Sequence, residues 1–289
     1  MTSHERLGVR RPGIRTESKL FNAARPTATL LVEGGSDERF WRMHSHPRCL
    51  VRHQGQGGRQ AALDQLRRPA DPEVALVAVL DADLDRVEGR VQDLPGVVWT
   101  DAHDLETTLL GLPTLEKVAR EALGPAQIAE QEARWAETLR DRLFRHATGM
   151  GRLRWLKQRE GLPIVFRKDE RLFDAYEACA SDDWAPSLSA VIRKVTDYSN
   201  AQRLDRHDLA ARVEALPAAD IDQVCNGHDL LGFLHTLLRP KRSPALSLDE
   251  LTRRVAISCE SGWLEQTAMW KALRTWEDAH PGFAVLRPA

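Results

Sequence analysis

Three acidic segments lie in the first third of the chain: Val32-Glu33-Gly34-Gly35-Ser36-Asp37, Leu80-Asp81-Ala82-Asp83 and His103-Asp104-Leu105-Glu106. Asp81 and Asp83 stand two residues apart, so in an extended segment their side chains project to one side. Two carboxylates on one side can hold one metal or bridge two, and a metal pair about 4 Å apart clamps both oxygens of a phosphodiester displacement. Asp37 lies one helical turn beyond Glu33, and Glu106 lies on a later helix; either could complete a second metal position. Gathered carboxylates repel one another unless a hard cation sits among them, and carboxylate and water ligands suit Mg²⁺ or Mn²⁺. The chemistry these residue types indicate is metal-assisted phosphoryl transfer. The plain alternative is a set of solvated loop acids and helix N-terminal residues. Against it, the Glu-Gly, the Asp-x-Asp and the later Glu each follow a predicted strand, in order.

The elements that must position these acids can be read from apolar patterning. Leu30, Leu31 and Val32 lead into Glu33, and Val74 to Leu80 leads into Asp81. Short unbroken apolar runs suit parallel strands covered on both faces, and the carboxyl ends of such strands form the crevice where open α/β sheets bind ligands. Ser36 can cap a helix carrying Phe40, Trp41 and Met43. A second strand, Cys49 to His53, precedes the turn Gln54-Gly55-Gln56-Gly57-Gly58-Arg59, which opens a helix with Ala62, Leu63 and Leu66. A fourth strand, Val97-Val98-Trp99, is followed by a helix from Asp101 to Leu110. Strands alternating with helices predict βαβ units, hence an α/β fold with a mainly parallel sheet flanked by helices.

After Pro113 the period becomes helical, over 114–147, 170–180, 186–198, 205–215, 219–239 and 247–279. The division expected is a basic arm at 1–26, an α/β domain at 27–112 and a mostly α-helical region at 113–289. The arm holds Arg6, Arg10, Arg11, Arg15, Lys19 and Arg25, either as a partly ordered tail or as a phosphate-contacting one.

A chain of 289 residues is long enough to bury one large core or two modest ones. The net charge of -1 neither supports nor excludes a nucleic-acid partner. No apolar stretch approaches the roughly 18–20 residues of a membrane span, and the N-terminus lacks the apolar core of a signal peptide. Cys49, Cys179, Cys225 and Cys259 form no Cys-x-x-Cys pair and read as reduced thiols of a cytoplasmic, bacterial protein.

The order strand-Glu-Gly, then strand-Asp-x-Asp, resembles the Toprim domain of topoisomerases, bacterial primases and OLD-type nucleases. The finer pattern adds the Gly57-Gly58-Arg59 turn, Leu80-Asp81-Ala82-Asp83-Leu84-Asp85 and Thr100-Asp101-Ala102-His103-Asp104-Leu105-Glu106. It resembles a Toprim-like domain-of-unknown-function family often encoded beside AAA/ABC-type ATPases in anti-phage loci, one relative being the Toprim effector subunit of the PARIS system. The resemblance covers residues 27–112; a later segment, Cys225-Asn226-Gly227-His228-Asp229-Leu230-Leu231, resembles a Gly-His/Lys-Asp element of the same family. It implies an Mg²⁺- or Mn²⁺-dependent endonuclease acting on DNA or tRNA/RNA, an antiviral effector working with an ATPase; a homodimer is a possible assembly, and the lack of an apolar span points to no membrane partner. Glu33, Asp81 and Asp83 would be catalytic metal ligands, with Asp37 and Glu106 as helpers. Gly57, Gly58, Arg59 and His228 would touch phosphate. Many relatives carry Lys where Arg59 stands; Arg cannot donate a proton at neutral pH but can clamp a phosphate through two bonds. The rival reading is a non-catalytic Toprim-like subunit that docks on an ATPase and binds nucleic acid.

Other residues leave alternatives open. The Gly57-Gly58 turn can cradle a phosphate on backbone N–H groups or simply join strand to helix. His44, His46 and His53 are expected as exposed surface histidines rather than zinc ligands, while His103 could orient a carboxylate or water. Residues 134–171 are rich in Arg and Lys, interleaved with Trp135, Phe144, Trp155 and Phe166. They form either a nucleic-acid groove with stacking platforms or a solvated face over buried rings. Trp263, Trp270 and Trp276 are expected on one C-terminal helix, as core or as a docking face.

Overall fold

The structure is a computed structural model and describes residues 13–24, 26–53, 57–69, 71, 73–168, 171–172, 188–199, 201, 203–238 and 246–288. By compactness the chain divides into two units: residues 1–81, 92–100 and 264–289 form one, and 82–91 with 101–263 form the other. This division differs from a linear cut, because the C-terminal segment belongs with the sheet.

In the first unit, β1 (Ala28–Val32), β2 (Leu50–His53), β3 (Ala75–Leu80) and β4 (Val97–Trp99) form an all-parallel sheet of order β2-β1-β3-β4, flanked by helices. Every residue of β1 and β3 is buried, as unbroken apolar runs require in a sheet covered on both faces. Leu31, Ala78 and Leu80 share a cluster with Ala62 and Leu63 of α3 (Gly58–Arg67). The chain passes from β1 outward to β2 on one side, and then to β3 on the other side of β1. The connections therefore reverse direction between β1 and β3, and the crevice of such a sheet opens at that point, beyond the strands' carboxyl ends.

Helix α1 (Ile14–Ala24) precedes the sheet, and α2 (Gly35–His44) buries Phe40 and Trp41. The cap of α2 is Gly34 rather than Ser36: the Asp37 carboxylate accepts the Gly34 amide at 2.9 Å, so the first turn closes earlier than expected. The long C-terminal helical stretch is broken into α12 (Leu248–Ser258), α13 (Ser261–Leu264) and α14 (Ala268–Ala279). Thr267 caps α14 by accepting the Trp270 amide. Within the first unit α14 packs on β3 and β4 and buries Trp270 and Trp276, so these two rings are core. Trp263 lies on the separate α13.

Among the described residues, the second unit is mostly helical, with a short antiparallel pair, β5 (Arg167–Lys168) and β6 (Arg171–Leu172). The helix expected over 170–180 thus begins as strand; residues 173–180 lie outside the described residues, as do Cys179, Gln54, Gly55, Gln56 and residues 1–12 of the basic arm. The stretch 114–147 divides into α5 (Thr114–Leu123), α6 (Pro125–Trp135) and the start of α7 (Leu139–Glu160). Gly124 and Ala136, both at positive φ, make the two breaks, and Thr138 caps α7. With α4 (Leu105–Leu110), α8 (Leu188–Tyr198), α9 (Arg206–Glu214), α10 (Ile221–Val224) and α11 (Gly227–Leu238), α7 forms the core of this unit. The backbone of α10 approaches α7 so closely that a Cβ on Gly151 would lie 2.3 Å from the Val224 carbonyl oxygen.

Candidate active site at the carboxyl ends of the strands

Glu33 directly follows β1 and Asp81 directly follows β3, so the parallel register of these adjacent strands brings the two together. The Asp81 amide donates to Glu33 Oε1 at 3.0 Å. Arg59 Nε donates to the same oxygen at 3.0 Å, and Arg59 Nη2 donates to the Asp81 carbonyl at 2.7 Å. Arg59 reaches this point because Gly57 and Gly58 adopt positive φ (103° and 33°) and turn the chain into α3, a conformation glycine takes without penalty. Gly58 backs directly on Glu33, at a spacing that leaves room for little more than a Cβ. The Arg59 guanidinium also lies 5.7 Å from the ring centroid of Trp99, the last residue of β4. Both Glu33 and Arg59 side chains are about one-fifth exposed, a partly dry setting in which their pairing is stronger than on open surface. Trp99 was not among the sequence candidates; its signal was its place at the end of the fourth strand, in register with Leu80.

Asp37 is a capping residue of α2. One of its oxygens accepts the Gly34 amide and the other accepts the Ser36 hydroxyl at 3.3 Å. The neighbouring Glu38 accepts both the His53 ring Nδ1 and the His53 amide. Burial works to raise the Glu38 carboxyl, but the His53 bonds and the charge of Arg42 outweigh it and leave it below its ordinary range.

The remaining acids belong to the second unit. Asp83 opens a 3-10 turn (Asp83–Asp85) with φ 45°, the left-handed region that a non-glycine residue occupies at some cost. His103 holds it there: the Asp83 amide donates to the His103 carbonyl at 2.6 Å, and His103 Nε2 lies 3.5 Å from Asp83 Oδ1. His103 Nδ1 donates to the Gln223 carbonyl at 3.1 Å, which fixes the buried ring and turns Nε2 toward Asp83. His103 therefore orients a carboxylate, one of the two roles its sequence position offered. Asp104 caps α4 by accepting the Thr107 amide, and it also accepts the Gly227 amide. Glu106 lies in the first turn of α4, with its Cβ against Gly227. His228 is exposed at the start of α11, its amide held by Asn226 Oδ1.

One open alternative is decided and one expectation is overturned. Phe144, Trp155 and Phe166 are buried to within a few per cent, so they are core rings and not stacking platforms. The cations around them are engaged in the fold: Arg142 and Arg145 with Glu137, Arg159 with Glu88, Arg154 with Asp229, and Arg152 with the carbonyls of Val213 and Leu216. The histidines near residue 50 are not all surface groups either, since His44 is buried against Phe40. Cys49, Cys225 and Cys259 are free thiols, each pushed up by burial and so poor nucleophiles.

The donor chemistry at the strand ends suits a hard dication. Among the described residues, however, no group of three or more His, Cys, Asp or Glu is arranged to hold a metal. The cation paired with Glu33 in this structure is Arg59. Among the described residues no helix is long and apolar enough to cross a membrane. No protein-family model and no curated protein matches the chain.

Proposed function

We propose that this protein is a divalent-metal-dependent nuclease of Toprim type that cleaves phosphodiester bonds of DNA or RNA, as an antiviral effector working with an AAA/ABC-type ATPase. The observation that carries the reading is the juxtaposition of Glu33 and Asp81 where the sheet reverses its connections, the place where α/β sheets of this kind present ligand-binding groups. The ATPase and the antiviral setting rest on the family resemblance alone.

Glu33 and Asp81 would hold the metal, with Asp83 two residues further along the chain. A bound Mg²⁺ or Mn²⁺ supplies an acidified water and neutralises charge on the scissile phosphate. Arg59, forked and permanently charged, would grip a non-bridging pair of phosphate oxygens. Gly57 and Gly58, at the start of α3, would offer backbone amides to the same anion.

The test is cleavage of labelled DNA and tRNA in Mg²⁺, Mn²⁺ or EDTA, comparing the wild type with Glu33→Gln and Asp81→Asn. Metal-dependent cutting that falls at least about a hundredfold in both variants is the expected result, in line with removal of a metal ligand from such a site. Cutting that survives EDTA or either substitution would refute it. The absence of a three-carboxylate cluster among the described residues favours a second reading, a non-catalytic subunit that docks on an ATPase and binds nucleic acid. Nucleic-acid binding indifferent to metal and to Glu33→Gln, without cleavage when the partner is present, would select it.

A further inference from the structure

We propose that a cavity in the second unit binds a guanine nucleotide, with the base stacked on Trp263, its N–H edge on Glu116 and its phosphate between Lys117 and Arg120. The site is separate from the strand-end acids and does not depend on the nuclease reading.

The cavity measures about 520 Å³ and lies between the N-terminal half of α5 and the turn that carries Glu260 and Trp263. That size falls within the range of small-molecule pockets. Pro113, Glu116, Lys117 and Arg120 recur at helical spacing, so they form one stripe of wall along α5. Trp263 stands across from the stripe, its ring centroid 5.5 Å from Lys117 Nζ. Unlike Trp270, which is sealed in the core, this indole is partly exposed. A ring so placed offers a face on which a flat base can stack.

The charged groups define the rest of the ligand. Lys117 and Arg120 are both exposed and stand one turn apart, a spacing that suits a shared phosphate. Lys117 pairs with Glu260 at 2.8 Å, but the two side chains are 49% and 55% exposed. An ion pair so wet holds little, and the ammonium can turn to a phosphate at small cost. Glu116 is different. Its Oε2 is closed to water and accepts no hydrogen bond among the described residues, which leaves a carboxylate in the cavity wall short of a donor. A half-turn of the carboxylate presents either oxygen.

Guanine carries two adjacent N–H donors on one edge, matching the two acceptor oxygens of a carboxylate. Adenine sets a ring acceptor beside its amino group, and that acceptor would meet the carboxylate with repulsion. Two cations and two carboxylates line the cavity, so a bare anion gains little there. A ligand with an anionic end and a donor edge satisfies both.

The experiment is isothermal titration calorimetry of the full chain with guanosine 5′-monophosphate, guanosine and adenosine 5′-monophosphate. The guanosine monophosphate should bind saturably below about 1 mM, and the adenosine monophosphate about tenfold more weakly. Trp263→Ala should weaken binding about tenfold, the worth of one stacked base. Trp263→Phe keeps a ring and should restore most of it, so that the loss reports stacking rather than loosened structure. Lys117→Ala and Arg120→Ala should weaken the monophosphate and leave guanosine unchanged. A single strand with a 5′-phosphorylated terminal guanosine, added at equal concentration, separates two sources of this chemistry. Displacement of the monophosphate would make a strand end the occupant, and no displacement a free nucleotide. No binding of the guanosine monophosphate by the wild type, or equal binding by the wild type and Trp263→Ala, would overturn the site.

Discussion

The amide of Gly227 donates to Asp104 Oδ2 at 2.8 Å across 123 residues of sequence, while Oδ1 of the same carboxylate caps α4 through the Thr107 amide at 2.7 Å. One buried acid thus closes the N-terminus of α4 and receives the first residue of α11. A Cβ on Gly227 would lie 2.4 Å from Asp104 Oδ1 and 2.5 Å from Glu106 Cβ, so only glycine fits. The Asn-Gly-His-Asp segment is therefore a packing device first, and the acidic run at 103–106 serves in large part to anchor it.

Gly227→Ala should accordingly destabilise the protein by about 2–3 kcal/mol, the cost of forcing a methyl into a filled contact. Denaturant unfolding followed by far-ultraviolet circular dichroism measures it. A change below about 0.5 kcal/mol, ordinary for a surface position, would show that the two helices can part without loss.

Arg154 donates to both oxygens of Asp229 at 2.7 and 2.8 Å, and Asp229 is wholly buried. Removing the guanidinium leaves a carboxylate with a lost ionic partner in a dry place. Arg154→Met should cost about 3–5 kcal/mol, whereas the double variant Arg154→Met/Asp229→Leu should recover a large part of that loss. If the double variant were as unstable as the single one, packing and not the stranded charge would be responsible.

His44 makes stability depend on pH. Burial, assisted by the charge of Arg287, lowers its pKa from 6.5 to about 4. Above pH 6.5 the imidazole is neutral in both folded and unfolded chains and costs nothing. As the pH falls from 6.5 toward 4, the unfolded chain takes up a proton that the folded chain refuses, so stability is lost. At about 1.4 kcal/mol per unit, the loss approaches about 3 kcal/mol. His44→Phe keeps a ring against Phe40 and should flatten this part of the profile, which denaturant midpoints at about pH 7.5 and about pH 4.5 would reveal through linkage. An unchanged slope would assign the acid loss to other groups.

By itself the sequence determined the strands that carry the acids. Unbroken runs such as Val77-Ala78-Val79-Leu80 have one stable use in a chain of this composition, a parallel strand covered on both faces, and Glu33 and Asp81 follow such runs directly. Glycine pairs before a helix likewise announced where α3 starts, because positive φ is costly for other residues. Local pattern could not say which polar groups find each other. Arg59 pairing with Glu33, Asp229 with Arg154 and Asp104 with Gly227 span 26, 75 and 123 residues, and each depends on how the strands order and how the helices close. The fate of Phe144, Trp155 and His44 was equally a tertiary matter. A helical period tells that one face is apolar, and only packing decides whether a ring at its border is sealed inside or left for a partner.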